Sequence, residues 1–154
     1  MRKLLDYAAT YLHIIVCYYA SDVVLAIDSD VAHLVLPHAK SRIAGYYYLT
    51  SNCINDAPPL NTPVLVICET LKHVVSSAAE AETAGVFTNA QIALIMQNTL
   101  EALGYPQPPT PIKTNNSTTR SFTNNNVQQK RSKSWDIRYY WLQDRETQKH
   151  IRVH

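Results

Sequence analysis

The sequence predicts an α/β domain built on a mixed sheet. Three apolar runs joined by loops come first, a long helical pattern follows, and a short fourth apolar run comes after the helix. Strands joined by short loops pair antiparallel, whereas a strand that follows a helical crossover lies parallel to its partner. A chain of 154 residues with 46% hydrophobic content can bury one core. We therefore expect one domain in which the first strand is central.

The expected strands are apolar, β-branched runs bounded by turn residues. They span residues 23–28, 43–50, 64–68 and 112–114, and residues 148–154 could begin a fifth. The first run ends at Asp28, so an acid is expected at the end of the central strand. The second run contains three consecutive tyrosines, and alternation along a strand turns Tyr47 away from Tyr46 and Tyr48. At least one of these rings is therefore expected in the core.

The clearest element is a long helix over residues 78–103. Ser77 is a good N-cap residue, and Glu80 three residues later completes a capping box. Gly104 ends the helix, and Pro106 prevents its continuation. Two shorter helices are expected over residues 4–11 and 135–147.

The long helix carries two acids with different expected roles. Glu80 belongs to the helix start, whereas Glu82 lies on the apolar face, together with Ala79, Val86, Ala90, Ala93, Met96, Leu100 and Leu103. An unpaired charge on such a face is costly unless a positive group receives it, and a metal ion is one such group. The alternative is that Glu82 lies at the edge of the apolar face and reaches water.

Composition and cysteine spacing exclude several classes of protein. Cys17, Cys53 and Cys68 are odd in number and far apart, which argues against a disulfide framework or a structural zinc site and favours a reducing compartment. No stretch has the pattern of a membrane span or of a secretory signal, so we expect an intracellular protein without a membrane partner. A net charge of +2 does not by itself indicate nucleic acid.

Five segments carry a specific pattern in one order. They are Asp28-Ser29-Asp30, Arg-Ile-Ala-Gly-Tyr at 42–46, Ser-Ser-Ala-Ala-Glu-Ala-Glu at 76–82, Thr-Asn-Asn-Ser at 114–117 and a basic segment at 130–138. Together they resemble the RNase H domain at the C-terminal end of copia-type LTR retrotransposon polyproteins. Residues 4–10 resemble the helix that connects reverse transcriptase to that domain. Each segment alone is weak evidence, but five in order cover nearly the whole chain.

The resemblance implies an RNase H-like fold with a mixed five-stranded sheet, three antiparallel strands followed by parallel ones, flanked by helices. It divides the chain into a connecting helix and lead-in over residues 1–20 and an RNase H-like domain over residues 21–154. That domain would lack its last helix. The implied partners are an RNA–DNA hybrid and, in a longer polyprotein, a reverse transcriptase domain. The cytoplasm or a virus-like particle is the expected location.

The resemblance also implies the site. Asp28 would be the first metal-binding acid, Glu82 the second, and Asn115 stands at the position of the third. RNase H-type cleavage uses two divalent ions, Mg²⁺ or Mn²⁺, held by carboxylates. Asn115 is a neutral amide, and the family's fourth acid, in an Ala-Asp pair on the last helix, has no counterpart. We therefore expect a ribonuclease H-type endonuclease with impaired or absent catalysis.

Nucleic-acid contacts are expected in two places. The resemblance places Asn116 and Ser117 beside the hybrid, and Lys130, Arg131 and Lys133 could contact its phosphates. A solvated basic loop is an equally good explanation of those cations. Two other functions stay open: a non-catalytic domain on the same scaffold that binds nucleic acid or protein, and an unrelated small α/β domain. The last requires that Asp28, Glu82 and Asn115 do not meet.

Overall fold

The computed structural model describes residues 2–51, 59–115 and 133–154. The elements in chain order are α1 (Arg2–Thr10), β1 (Val24–Leu36), a 3-10 turn (Pro37–Ala39), β2 (Lys40–Thr50), β3 (Pro63–Thr70), α2 (Ala78–Ala102), β4 (Thr110–Thr114), α3 (Lys133–Thr147) and β5 (Ile151–Val153). Within these described ranges no helix is long and apolar enough to cross a membrane.

The strands form one five-stranded sheet in the order β3-β2-β1-β4-β5. β1 pairs antiparallel with β2, and β2 pairs antiparallel with β3. On the other side β1 pairs parallel with β4, with Ile27 opposite Ile112, and β4 pairs parallel with β5. The long helix α2 supplies the crossover that a parallel pair requires. The predicted mixed sheet with a central first strand is confirmed, and so is the fifth strand.

β1 is longer than the sequence predicted, and this changes the position of Asp28. The strand continues through Leu36, which pairs with Lys40 across a tight connection to β2. Asp28 lies inside the strand, opposite Tyr46, so the prediction that β1 ends at this acid is wrong. The neighbouring β4 is the strand that ends here, because its last paired residue, Thr114, lies opposite Ser29.

The start of α2 is capped as predicted. The Ser77 hydroxyl accepts a hydrogen bond from the Glu80 backbone N–H at 3.2 Å, and Glu80 accepts from the Ser76 N–H and hydroxyl at 2.9 and 2.8 Å. The helix ends one residue earlier than expected, at Ala102, and Gly104 follows with φ of +91°, a conformation that favours glycine. The Glu80 carboxylate is therefore engaged in hydrogen bonds at the start of the helix.

The main core lies between the sheet and the helices α2 and α3. Its fully enclosed side chains are Leu25, Ile27, Tyr47, Val86, Ala90, Ala93, Ile112, Leu142, Ile151 and Val153. Tyr47 is the buried member of the tyrosine run that faces α2, as alternation predicted. The predicted apolar face of α2 fails at its C-terminal end, where Leu103 is 67% exposed. Leu103 is the C-cap residue, one position beyond the last residue of α2.

Two amides in α2 are buried in this core and were not predicted. Asn89 donates to the Ser29 hydroxyl and the Ala44 carbonyl, and it accepts from the Tyr47 hydroxyl at 2.8 Å. Gln97, farther along α2, donates to the Thr110 hydroxyl at 2.6 Å and to the His150 carbonyl at 2.7 Å. A buried polar group is tolerated when its hydrogen bonds are made, and these bonds fix α2 against β1, β2 and β4.

Candidate functional site

Glu82 is the acid of α2 that enters the protein. Its residue is 6% exposed, and it accepts hydrogen bonds from the backbone N–H of Val31 and from the side chain of Thr114. Its Oε2 atom is buried and has no hydrogen-bond partner among the residues that the structure describes. These contacts confirm that Glu82, and not Glu80, lies on the packed face of α2. The alternative that Glu82 reaches bulk water is wrong, because Val31 and Thr114 enclose it.

The electrostatic surroundings of Glu82 are unfavourable for a negative charge. Burial is the largest cause, and the charge of Asp30 is the second; together they raise the pKa of Glu82 to about 7. The two hydrogen bonds from Val31 and Thr114 act in the opposite direction, since they stabilise the carboxylate. Burial and a neighbouring acid outweigh them.

Asp30 and Asn115 lie next to the partners of Glu82. The Asn115 amide nitrogen donates to Asp30 Oδ1 at 3.3 Å, and both side chains are exposed. This contact forms because β4 ends at Thr114 while β1 continues, which leaves the edge of β1 open beyond Ser29. We call Asp30, Glu82, Thr114 and Asn115 the β4-end cluster.

Asp28 lies on the face of the sheet that is turned away from α2, and Asp30, two residues later, lies on the same face. Ser29 between them faces α2, because its hydroxyl accepts from Asn89, and successive side chains of a strand alternate. Asp28 shares its face with Tyr48, whose pKa is raised to about 12 by burial and then by the charge of Asp28. Its register partner on β4 is Lys113. One oxygen, Oδ1, is buried and without a hydrogen-bond partner within the described ranges.

The structure thus brings together two of the three predicted site residues. Glu82 and Asn115 belong to the β4-end cluster, and the acid that contacts Asn115 there is Asp30, whereas no contact of Asp28 with these residues is among those described. The catalytic roles of Asp28, Glu82 and Asn115 stay predictions. The pattern Asp-Ser-Asp contained a signal for Asp30, since side chains two apart in a strand share a face, but the sequence did not show where β4 would end.

Most of the residues predicted to contact nucleic acid lie outside the part of the chain that the structure describes. Asn116, Ser117, Lys130 and Arg131 lie outside the described residues, and Lys133 is described only as part of the α3 backbone. Their roles stay predictions.

Arg138, a cation of the basic segment on α3, packs against the loop before α2 and against α2 itself. Arg138 contacts His73 in the loop before α2, with Nη1 2.6 Å from His73 Nε2, and its guanidinium lies 5.9 Å from the centre of the Phe87 ring. Burial lowers the pKa of His73, and the charge of Arg138 lowers it further, against the opposing effect of Glu80. Arg138 therefore joins α3 to the start of α2.

The β4-end cluster does not fit a centre for two divalent ions. It supplies two carboxylates and one amide, and the amide nitrogen is turned toward Asp30. Asp28 lies inside β1, in register with Lys113 of β4. No group of three or more histidine, cysteine, aspartate or glutamate side chains within residues 2–51, 59–115 and 133–154 is arranged to hold a metal ion. Two ions need more negative ligands than these residues bring together.

Comparisons with known proteins give structural likeness only. No protein-family model and no curated protein matches the chain. Among solved structures, the N-terminal RNase H domain of a Mycobacterium tuberculosis protein is 9% identical with a TM-score of 0.56, over 86% of this chain and 79% of that one. An RNase H1 isolated from compost by a metagenomic approach is 5% identical with a TM-score of 0.59, over 86% and 83%.

Two further solved structures extend this likeness. The compost RNase H1 in complex with an RNA/DNA hybrid is 7% identical to this chain, with a TM-score of 0.57 over 84% of this chain and 80% of that one. The protease–reverse transcriptase of prototype foamy virus is 13% identical with a TM-score of 0.50, over 85% of this chain and 17% of that one. Identities this low establish the fold. The chain therefore has an RNase H-like fold.

Proposed function

We propose that this chain is an RNase H-type domain that binds RNA–DNA hybrids and hydrolyses them weakly or not at all. The observation that carries the proposal is the shared sheet and helix arrangement with an RNase H1 that was solved in complex with an RNA/DNA hybrid. Function resides in sites rather than in folds, so the site has to support the proposal as well. Glu82 does so, because it is a buried acid of α2 at the carboxyl end of β4.

The copia-type origin belongs to the same proposal. Five segments occur in the order typical of that family, from Asp28-Ser29-Asp30 to the basic segment at 130–138. The likeness to a retroviral protease–reverse transcriptase agrees with a domain that accompanies a reverse transcriptase. The proposed partners are thus an RNA–DNA hybrid and a reverse transcriptase domain of a longer polyprotein.

Impaired catalysis follows from the charge at the end of β4. An amide at position 115 supplies a neutral oxygen where an acid would supply a negative one, so the attraction for a second divalent ion is reduced. In this structure the Asn115 amide nitrogen donates a hydrogen bond to Asp30. One of the two carboxylates of the cluster therefore already has a partner. Mg²⁺ or Mn²⁺, when bound, would supply an activated water and charge stabilisation for phosphodiester cleavage.

The alternative is a non-catalytic domain on the RNase H scaffold that binds nucleic acid or protein. The contact between Asn115 and Asp30 favours it, because a neutral amide in place of an acid joins the end of β4 to β1. The first function requires hybrid binding, and any detectable cleavage by the chain would exclude the second.

The test is binding and cleavage of a labelled RNA–DNA hybrid. We expect the chain to bind the hybrid in preference to duplex DNA of the same sequence, with affinity that falls as salt is raised. Cleavage should be undetectable or very weak in Mg²⁺ and in Mn²⁺. Absence of any preference for the hybrid, together with absence of cleavage, would refute the proposed function.

Robust Mg²⁺-dependent cleavage would have a different meaning. If it were abolished by both Asp28→Asn and Glu82→Gln, the family's arrangement of acids would form during catalysis, and the proposed impairment would be wrong. Cleavage that survives Glu82→Gln would identify a contaminating nuclease, so the same preparation of that variant is the control.

A further inference from the structure

β3 is a long strand with one open edge. It stands at the end of the sheet, and within residues 2–51, 59–115 and 133–154 its only strand neighbour is β2. The backbone N–H and C=O groups on its outer side therefore have no strand partner in this part of the chain. The strand at the other end of the sheet, β5, has three residues, whereas β3 has eight. β3 therefore offers the longer row of main-chain groups to which a further strand can bind.

The side chains along this edge do not protect it. Val64, Leu65 and Val66 are exposed, and no residue from Pro63 to Cys68 carries a charge. Edge strands are normally kept from pairing by charged residues, by proline or by a bulge. The proline and the register shift of β3 both lie at its beginning, between Pro63 and Leu65. The middle of the strand lacks all three devices.

We propose that the outer edge of β3 binds the same edge of a second copy of this chain, so that the two sheets join antiparallel about a two-fold axis. Such an interface uses the same surface on both copies. Directly opposite side chains must lie on the same face of the joined sheet, so a residue pairs with itself or with one an even number of positions away. Pairing centred on Val66 meets this condition and sets Leu65 opposite Ile67.

The sequence of β3 makes a second copy a suitable occupant. Glu69 is the only charged residue of the strand, and pairing centred on Val66 sets it opposite Pro63, so no like charges are opposed. Leu65 is in register with Tyr47 and lies on the α2 face, whereas Val66 lies on the opposite face. The symmetric pairing therefore covers exposed apolar side chains on both faces at once.

Tyr18 and Tyr19 extend this interface. A stable interface buries about 800 Å² on each partner, and one short pair of strands provides less than this. The Tyr18 hydroxyl donates to the Pro63 carbonyl at 3.3 Å, and the Tyr19 N–H donates to the Asn61 side chain at 3.1 Å. Both exposed rings thus belong to residues held beside the start of β3. In an antiparallel dimer the start of one β3 adjoins the end of the other, so these residues lie next to the second copy.

The inference does not depend on the proposed function, and its test uses the full chain. Sedimentation velocity at increasing protein concentration measures the monomer–dimer equilibrium. Val66→Lys is the test variant, because Val66 pairs with itself and the change sets two like charges opposite each other. Val35→Lys is the matched control, since Val35 is 59% exposed against 60% for Val66 and lies on β1, which does not pair with β3. Circular dichroism with thermal unfolding shows whether each variant is folded.

We expect the unmodified chain and Val35→Lys to dimerise, and the dissociation constant to rise at least ~10-fold in Val66→Lys. Val66→Glu should dissociate in the same way. An equimolar mixture of Val66→Lys and Val66→Glu should dimerise again, because opposite charges then face each other.

A second measurement needs no variant. The backbone amides of residues 64–68 that point away from β2 should exchange more slowly with deuterium as the concentration of the unmodified chain is raised, because the second copy supplies their hydrogen bonds. This measurement decides even if Val66→Lys does not fold.

Four outcomes would overturn the inference. They are an unmodified chain that stays monomeric, equal weakening by Val66→Lys and Val35→Lys, a mixture of the two oppositely charged variants that stays monomeric, and amides of β3 whose exchange does not depend on concentration. Association of Val66→Lys as tight as that of the unmodified chain would also overturn it. That result would assign the association to the exposed apolar residues 3–20 instead of β3.

Discussion

Glu82 is an acid whose ionisation opposes folding. Its pKa in the folded protein, about 7, lies above that of an exposed glutamic acid because of burial and the charge of Asp30. A raised pKa means that the folded state holds the proton more tightly than the unfolded chain. The stabilising contribution of protonated Glu82 is therefore complete below the unfolded pKa of about 4.3 and is lost as the pH rises through about 7.

The corresponding prediction concerns Glu82→Gln. The unmodified chain should lose more unfolding free energy than the variant between about pH 5 and about pH 8, since glutamine does not ionise. Urea unfolding at several pH values, with a chelator present, measures the difference. Glu101→Gln, on the exposed side of the same helix, should keep the pH dependence of the unmodified chain. Equal slopes for the unmodified chain and Glu82→Gln would show that Glu82 is not buried in solution.

Tyr47 and Asn89 form a polar pair inside the core. Removal of the Tyr47 hydroxyl in Tyr47→Phe leaves the side-chain oxygen Oδ1 of Asn89 without its 2.8 Å donor, so we expect a loss of ~1–2 kcal/mol in unfolding free energy. Denaturant unfolding measures it. Tyr140→Phe, 63% exposed on α3, should change stability by less than ~0.5 kcal/mol. Equal effects of the two changes would contradict the buried pair.

At the residue scale, sequence reasoning identified what periodicity controls. It predicted different positions for Glu82 and Glu80 and a buried Tyr47. Both predictions depend only on the periodicity of a single helix or strand. It missed Asn89, since an amide in a helical pattern resembles a surface residue until its partners on β1 and β2 are known. It also missed Asp30, whose position depends on the end of a different strand.

At the scale of elements, α2 lies very close to β1. A Cβ added at Gly85 would stand 2.4 Å from Cγ2 of Val31, a distance that requires one element to move. Gly85→Ala should cost ~1–3 kcal/mol through overpacking. The cost should shrink when Val31→Ala is present as well, because the clashing methyl group is then absent. A double-mutant cycle by denaturant unfolding measures this coupling, and strict additivity of the two changes would refute the close contact.

The contact between α3 and the loop before α2 yields a second prediction at this scale. Burial and Arg138 together lower the pKa of His73, so loss of the guanidinium charge in Arg138→Gln should raise it. Nuclear magnetic resonance titration of the histidine rings measures the change. Arg152→Gln, on β5, is the matched control and should leave the pKa of His73 where it is. An unchanged pKa in Arg138→Gln would show that α3 does not hold Arg138 against His73.

The elements also show where sequence reasoning reaches its limit. The caps of α2 are local, since Ser77 and Glu80 lie within one turn, and its bounds were predicted to within a residue. The length of β1 is not local. Residues after Asp30 stay extended because β2 folds back and supplies their hydrogen bonds from Ala44 to Lys40. The sequence pattern of β1 therefore predicted residues 23–28 as a strand, but it did not predict where the strand ends.

At the scale of the whole molecule, the fold is shared at identities of 5–13% with the solved structures compared above. Cores tolerate many substitutions when volume and the pattern of buried positions are kept. The order of strands and the long crossover helix follow from that pattern, so the fold was predictable. The contact between Asp30 and Asn115 was not predictable, because it depends on where β4 ends relative to β1.

The first twenty residues form a part of the molecule with a surface unlike the rest. Residues 3–20 are all exposed. The large apolar side chains among them are Leu4, Leu5, Tyr7, Tyr11, Leu12, Ile14, Ile15, Val16, Tyr18 and Tyr19. Only the end of this segment is tied to β3 and the residues before it by described side-chain contacts. Thr62 donates to the Cys17 carbonyl, and Asn61 exchanges two hydrogen bonds with the Tyr19 backbone. The Tyr18 hydroxyl donates to the Pro63 carbonyl at 3.3 Å.

Two deletions test the proposed boundary between this segment and the domain that starts at residue 21. Deletion of residues 1–16 should change the unfolding free energy by less than ~0.5 kcal/mol, because no core contact is removed. Deletion of residues 1–20 should also fold, but with a loss of ~1–3 kcal/mol, since it removes the hydrogen bonds that Asn61 and Thr62 make. Both deletions should reduce concentration-dependent association in sedimentation experiments, because large exposed apolar surfaces promote contact between molecules.

Two outcomes would contradict these expectations. An unfolded product from the shorter deletion would place the domain boundary before residue 16. Equal stability of the two products would show that residues 17–20 do not hold the β2–β3 connection in solution.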